Sequence, residues 1–275
     1  MSLRRVRRSP AVEILEIDNG AARAAISLFG GHVLAFMPHH DGRERLWLSE
    51  RAIWDGTASI RGGVPVCWPW FGDHAEPGHP AHGYVRTRPW RLLDSREGED
   101  FTELSLAPLD TLGDGFAGRA SLRLDVRVGH ELTMSLRTGN EGSEPFTYRC
   151  ALHSYFRVGD IEDVELRGLH GEYSDKALNW ARGDTPAPYR FAAETDRIHL
   201  VPMAEAVIAD ARRRTVVRSH GHDSLVVWNP WEARAAALRD MESGGWRRML
   251  CVETAITQGH TLEPGREHVL QQVIA

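Results

Sequence analysis

Apolar and polar residues alternate with a period of two along most of this chain. Ala120 to Val128 shows the pattern cleanly: Leu122, Leu124, Val126 and Val128 fall on one face, and Arg123, Asp125 and Arg127 on the other. Such alternation is the mark of a strand with one buried face. Val12, Ile14 and Ile17 lead into Asp18-Asn19-Gly20, a hairpin signal. Strand character resumes over 21–29, 32–37 and 46–48, broken by Gly30-Gly31 and Asp41-Gly42. Further strands are expected over 90–94, 101–106, 131–138, 146–157, 164–169, 206–218, 224–228, 249–256 and 268–274. The stretch 172–197, with Pro186 and Pro188, reads as loop-rich, and 233–241 is the one good helical window. Short strands punctuated by frequent turns predict an all-β fold, an antiparallel sandwich or barrel with few short helices. No repeat at a fixed period appears, and composition does not shift near Thr138–Pro145, where a division into two domains would have to fall. The simplest account is a single large β-sandwich domain over residues 11–275. Arg4, Arg5, Arg7 and Arg8 mark residues 1–10 as a basic, flexible N-terminal tail.

Composition narrows the classes without naming a function. The 275 residues are 42% hydrophobic and 26% charged, with a net charge of −5 and a pI near 6.3. Nothing in that balance calls for nucleic acid or an anionic membrane. No apolar run approaches a membrane span, and no apolar segment follows the basic start as a secretory signal requires. Cys67, Cys150 and Cys251 are far apart, each in an apolar stretch. They read as buried thiols in a reducing compartment, so the chain is expected to be cytoplasmic. Nothing indicates an obligate oligomer, and a monomer is expected.

One stretch breaks the pattern. Arg61 to Trp90 is crowded with Gly, Pro, Trp, His and Arg, too broken for a helix and too rich in proline for a central strand. Trp68, Trp70 and Trp90 are rigid plates of the kind on which sugars pack, and Arg61, Arg86 and Arg88 are forks suited to carboxylate or phosphate. The alternative is an ordered loop whose tryptophans plug the core. His74, His79 and His82 share the segment, but no cysteine or carboxylate motif accompanies them, so no metal site is assigned. No phosphate-cradling glycine loop, dinucleotide fingerprint or Gly-x-Ser-x-Gly elbow is present, and no cofactor is expected.

Two residues on strands draw attention. Glu253 is the only charge in Met249–Ile256, where a carboxylate is costly unless it is paired or faces a cleft. His153 falls on the polar face of its strand, with Thr147, Arg149, Tyr155 and Arg157. Each has a structural alternative, a strand-end carboxylate and a hydrogen-bonded surface histidine. Together they are the rigidly mounted groups that a general acid/base pair needs. Asp196, in isolation, reads as a loop carboxylate bonded to backbone. The aromatic turn Trp228-Asn229-Pro230-Trp231 reads as core or rim.

Side by side, these pieces resemble the aldose 1-epimerase superfamily, and within it the hexose-6-phosphate mutarotase branch. The resemblance is carried by Arg61 to Gly72, His82-Gly83-Tyr84-Val85-Arg86, Leu152-His153-Ser154-Tyr155-Phe156, Val227 to Trp231 and Cys251-Val252-Glu253-Thr254-Ala255, in the family's order and across nearly the whole chain. It implies a large twisted antiparallel sandwich, the galactose mutarotase-like supersandwich, with the site on its open face. It implies His153 and Glu253 as the catalytic pair, and Arg61, Arg86, His82 and Asp196 as substrate contacts, with Trp68 or Trp70 walling the pocket. It also implies a small sugar phosphate as ligand, and no cofactor or metal. Some members carry a glutamine contact where this chain has Ala81. With ordinary pKa values, near 4.3 and 6.5, Glu253 would serve as base at O1 and His153 as acid at the ring oxygen. The rivals are a mutarotase for unphosphorylated aldoses and a non-catalytic carbohydrate-binding sandwich.

Overall fold

The computed structural model describes residues 3–211 and 214–275. The chain first lays down β1 (Leu3–Arg7), β2 (Glu13–Asp18), β3 (Ala22–Ser27) and β4 (His32–Pro38), then the two-residue β5 (Val66–Cys67). A meander follows: β6 (Trp90–Glu97), β7 (Thr102–Pro108), β8 (Ala120–Val128) and β9 (Leu132–Asn140). Next come β10 (Phe146–Leu152), β11 (Tyr155–Arg157), β12 (Glu165–Arg167), β13 (Glu172–Asp175), β14 (Ala181–Asp184) and β15 (Thr195–His199). The chain closes with β16 (Glu205–Ala209), β17 (Arg214–His220), β18 (Ser224–Asn229), the short helix α1 (Trp231–Ala236), β19 (Met249–Leu262) and β20 (Glu267–Ile274). No helix among the described residues is long and apolar enough to cross a membrane.

These strands form three antiparallel sheets: β1-β2-β3-β4; β14-β13-β15-β18-β19-β10-β5 with β11 beside β19; and β12-β16-β17-β20-β9-β8-β7-β6. The all-β antiparallel architecture expected from the alternation is what forms. On β8, buried and exposed residues alternate as the sequence pattern requires. The two eight-stranded sheets share one apolar cluster: Leu104, Leu124, Val126, Met134 and Leu136 from one, Cys150, Leu152, Leu250 and Val252 from the other. Between them lies a satisfied polar seam. Gln272 donates to Thr254 Oγ1 at 2.8 Å and accepts from Ser154 Oγ.

The central strand β19 is buried on both faces from Met249 to Ile256. Its even-numbered residues face the seam, so Cys251, Glu253 and Ala255 face the opposite way. That alternation explains how a carboxylate sits in so apolar a run.

Four expectations are corrected. The basic start is not a free tail. Leu3–Arg7 pairs along β2, and Arg4 and Arg5 reach Glu16 and Glu13; Met1 and Ser2 lie outside the described residues. The strand expected over 146–157 is interrupted at His153 and Ser154. The stretch read as loop-rich contains β13, β14 and the start of β15. The helix covers only Trp231–Ala236, starting directly after Pro230, whose ring is suited to a helix start.

Candidate active site

Each polar side chain of the site is placed by cross-strand register. Asp196 on β15 lies opposite Trp228 on β18, Trp228 opposite Cys251 on β19, and Cys251 opposite Tyr155 on β11. The next row runs Ile198, Val226, Glu253. His153, in the break between β10 and β11, stands beside Glu253. These rows form the floor of a cavity of about 620 Å³.

The broken segment from Arg61 to Trp90 supplies one wall. Gly62 and Gly63 both have positive φ, and a Cβ on Gly63 would lie 2.3 Å from the Val33 carbonyl oxygen. The close approach lets the segment dock on β4 and aim Arg61 inward. Farther on, Gly83 pairs with Trp68, where a Cβ would lie 2.0 Å from the Trp68 carbonyl oxygen. His82 itself has φ 62°, and its backbone N–H donates to Gly72 O at 2.7 Å. That turn brings the His82 ring within 5.5 Å of the His153 ring, centroid to centroid.

His153 Nδ1 and Glu253 Oε1 are 3.3 Å apart. They are not aligned for a hydrogen bond, and Nδ1 and Glu253 Oε2 are shielded from solvent without a hydrogen-bond partner. His153 stacks on Tyr155 at 4.9 Å, with planes 8° apart. Burial, then His82, Arg86 and Arg61, hold His153 well below the ordinary histidine value. Burial, then Asp196, pushes Glu253 well above the carboxylate range, with Arg86 opposing. The ordinary values expected from sequence are thus corrected for both groups. Each shift favours the uncharged form, so the pair holds one proton between two groups.

The remaining contacts are set as firmly. Arg61 donates from Nη1 to Tyr155 OH at 2.9 Å and from Nε to Asp240 Oδ2 at 3.2 Å. Arg86 Nη2 donates to Ala81 O at 2.8 Å, so the backbone of Ala81 steadies the arginine. Burial, against the pull of Lys176 and Arg234, pushes Asp196 up to about 6. Burial, then Arg86, Lys176 and Arg61, lowers His82 to about 3.

Of the residues singled out from sequence, Arg61, His82, Arg86, His153, Asp196 and Glu253 line this one cavity. Trp68 and Trp70 do not. Trp68 is fully buried among Tyr84 and Phe116, and Trp70 donates its indole N–H to Pro80 O. Both are core, because the segment folds its tryptophans inward beneath the loop. The aromatic lining comes from Trp228, Tyr155, Phe71 and the half-exposed Trp180 instead. His74 and His79 gather with Glu76 away from His82. His74 has both ring nitrogens occupied, by the Glu76 backbone and by Gly115 O. Cys67, Cys150 and Cys251 are buried and unpaired.

Sequence reasoning missed Arg149, Lys176, Arg182 and Arg234, which also line the cavity. With Arg61 and Arg86 they face three carboxyl groups, of Asp73, Asp196 and Glu253. The cavity is therefore cationic within a chain of net charge −5. Lys176 carried a signal that could have been read: it is the only lysine in the sequence.

Comparison with known proteins gives the family and the fold. The family model described as aldose 1-epimerase matches residues 13–275. A protein of Escherichia coli K12, described as "Putative glucose-6-phosphate 1-epimerase", is 36% identical over 255 residues, 90% of this chain and 85% of its own length. A protein of Cenchrus ciliaris under the same description is 32% identical over 288 residues, 94% of this chain and 86% of its own length. The crystal structure of a Salmonella typhimurium protein described as a "putative mutarotase" superposes with a TM-score of 0.92 at 32% identity, covering 100% of this chain and 93% of that one.

Proposed function

The chain belongs to the aldose 1-epimerase family, and from that premise we propose that it interconverts the α and β anomers of a hexose 6-phosphate, with glucose 6-phosphate the first substrate to test. The observation that carries the reading is the His153–Glu253 pair, 3.3 Å apart on the floor of a cavity ringed by basic side chains. Anomerisation needs a proton removed from O1 and one delivered to the ring oxygen. The ring opens to the aldehyde, the C1–C2 bond rotates, and closure on the other face reverses both transfers. A pair that holds one proton supplies the acid and the base together.

In this reading Arg61 and Arg86 hold the 6-phosphate by charge-assisted hydrogen bonds. The dianion opposes the Arg86 and Arg61 charges that add to burial in lowering His153. The shared proton then moves from Glu253 to His153, leaving Glu253 as base at O1 and His153 as acid at the ring oxygen. His82, uncharged, and Asp196 take sugar hydroxyls, and Trp228 offers an apolar wall. Each positioned transfer contributes roughly 10²–10⁴-fold. No cofactor takes part, and the protein acts in the cytoplasm as a monomer.

A mutarotase for unphosphorylated aldoses has one observation on its side: Arg61 already has Asp240 and Tyr155 as partners. The deciding experiment is α/β exchange measured by NMR in glucose 6-phosphate and in glucose, with wild type and His153→Ala. Acceleration of the phosphate ester alone, lost in the variant, is the expected result. Equal acceleration of both sugars removes the phosphate clamp, and acceleration of neither overturns the enzyme.

A further inference from the structure

The chain has 33 lysine and arginine positions, and the one lysine, Lys176, lines the candidate active site. It follows β13 directly. Asp175, opposite Arg197, caps a 3-10 turn (Lys176–Leu178) that begins at the lysine, and the Lys176 charge acts on Asp196. Its Nζ lies 3.2 Å from Asp73 Oδ2, on the loop that also holds His82 through Gly72. The ammonium therefore bridges the mouth between the sheet floor and the opposite wall, and both Asp196 and His82 feel its charge.

Its present partner is weakly held. The Asp73 side chain is 76% exposed, and exposed ion pairs contribute little and are screened by salt. Arg61 is more committed, held by both Asp240 and Tyr155. An anion entering the cavity meets in Lys176 a long, mobile point charge that exchanges Asp73 for phosphate oxygens at little cost.

Building on the hexose 6-phosphate reading, we propose that Lys176 is a substrate-binding residue that takes the phosphate oxygens from the outer wall, facing Arg86. It sets the preference for the phosphate ester over the free sugar. The single lysine makes the test unambiguous. Wild-type protein is acylated with an N-hydroxysuccinimide ester, and modification of the peptide bearing Lys176 is followed by mass spectrometry. Saturating glucose 6-phosphate is expected to slow that modification about tenfold or more, and glucose is not. In Lys176→Met, the ratio of kcat/KM for glucose 6-phosphate to that for glucose is expected to fall roughly tenfold or more, the loss of one charge-assisted contact, and Lys176→Arg to restore part of it.

Unchanged acylation in an enzyme that turns over glucose 6-phosphate overturns the proposal, as does equal protection by glucose. If neither sugar is turned over but glucose 6-phosphate alone still protects, the anion site stands and the mutarotase reading falls. If there is neither turnover nor protection, both fall.

Discussion

At the scale of single residues, the proposed chemistry rests on the buried pair His153–Glu253. With ordinary pKa values, the state with ionised Glu253 and charged His153 would exist only between about pH 4.3 and 6.5. The structure moves His153 down and Glu253 up, which widens the range over which the pair holds one proton. kcat/KM is therefore expected not to fall as pH rises through the ordinary histidine value. A fall with a midpoint near 6.5 would show an unshifted histidine. Glu253→Gln keeps the shape and removes the proton exchange, so anomerisation should drop by roughly 10²–10⁴-fold while glucose 6-phosphate still binds.

Asp196 shows the cost of such a site. Its carboxyl is pushed from 3.8 to about 6, so its neutral form suits the fold. That stability is complete below the unfolded value and is lost as pH rises through about 6. Asp196→Asn should therefore raise the melting temperature at pH 7.5, for a gain on the order of 1–3 kcal/mol that vanishes below pH 4. Glu253 stood out in the sequence as the one charge in an apolar run, whereas His153, on a polar face, drew attention only beside it and through the family resemblance. Trp68 and Trp70 misled because a large aromatic in a loop fits core and site equally well, and only burial separates the two.

At the scale of elements, the irregularities place the site. The interruption between β10 and β11 turns His153 toward Glu253, and alternation alone cannot show it, because the period of two carries through the break. Hairpin β13–β14 escaped notice since its strands have four residues each and flank polar turns, where period-two patterning has too few positions to register. The Gly-rich segment was recognised as special from its composition, while its docking on β4 required the fold. Gly83→Ala tests that docking. With positive φ and a Cβ 2.0 Å from the Trp68 carbonyl oxygen, the substitution should destabilise by at least about 2 kcal/mol in thermal or urea melts, and displace the adjacent His82.

At the scale of the molecule, the cavity's positive field sits within an acidic chain. Capture of a dianionic substrate should then weaken with added salt, and kcat/KM for glucose 6-phosphate should fall between low and 0.5 M salt (on the order of severalfold) while that for glucose stays level. Equal salt responses would remove the steering role. The all-β class and the antiparallel pairing were legible from alternation and turn residues. The order of strands was not, because key neighbours in the second sheet are far apart in sequence: β15 adjoins β18, and β19 adjoins β10. That order has a kinetic consequence. The floor unites residues from His153 to Glu253 through non-local strand contacts, and such pairings form slowly because long loops must close first. No contiguous fragment short of that span can assemble the pair, and activity regained during refolding should trail the return of strand signal, arriving only when β19 has closed between β18 and β10.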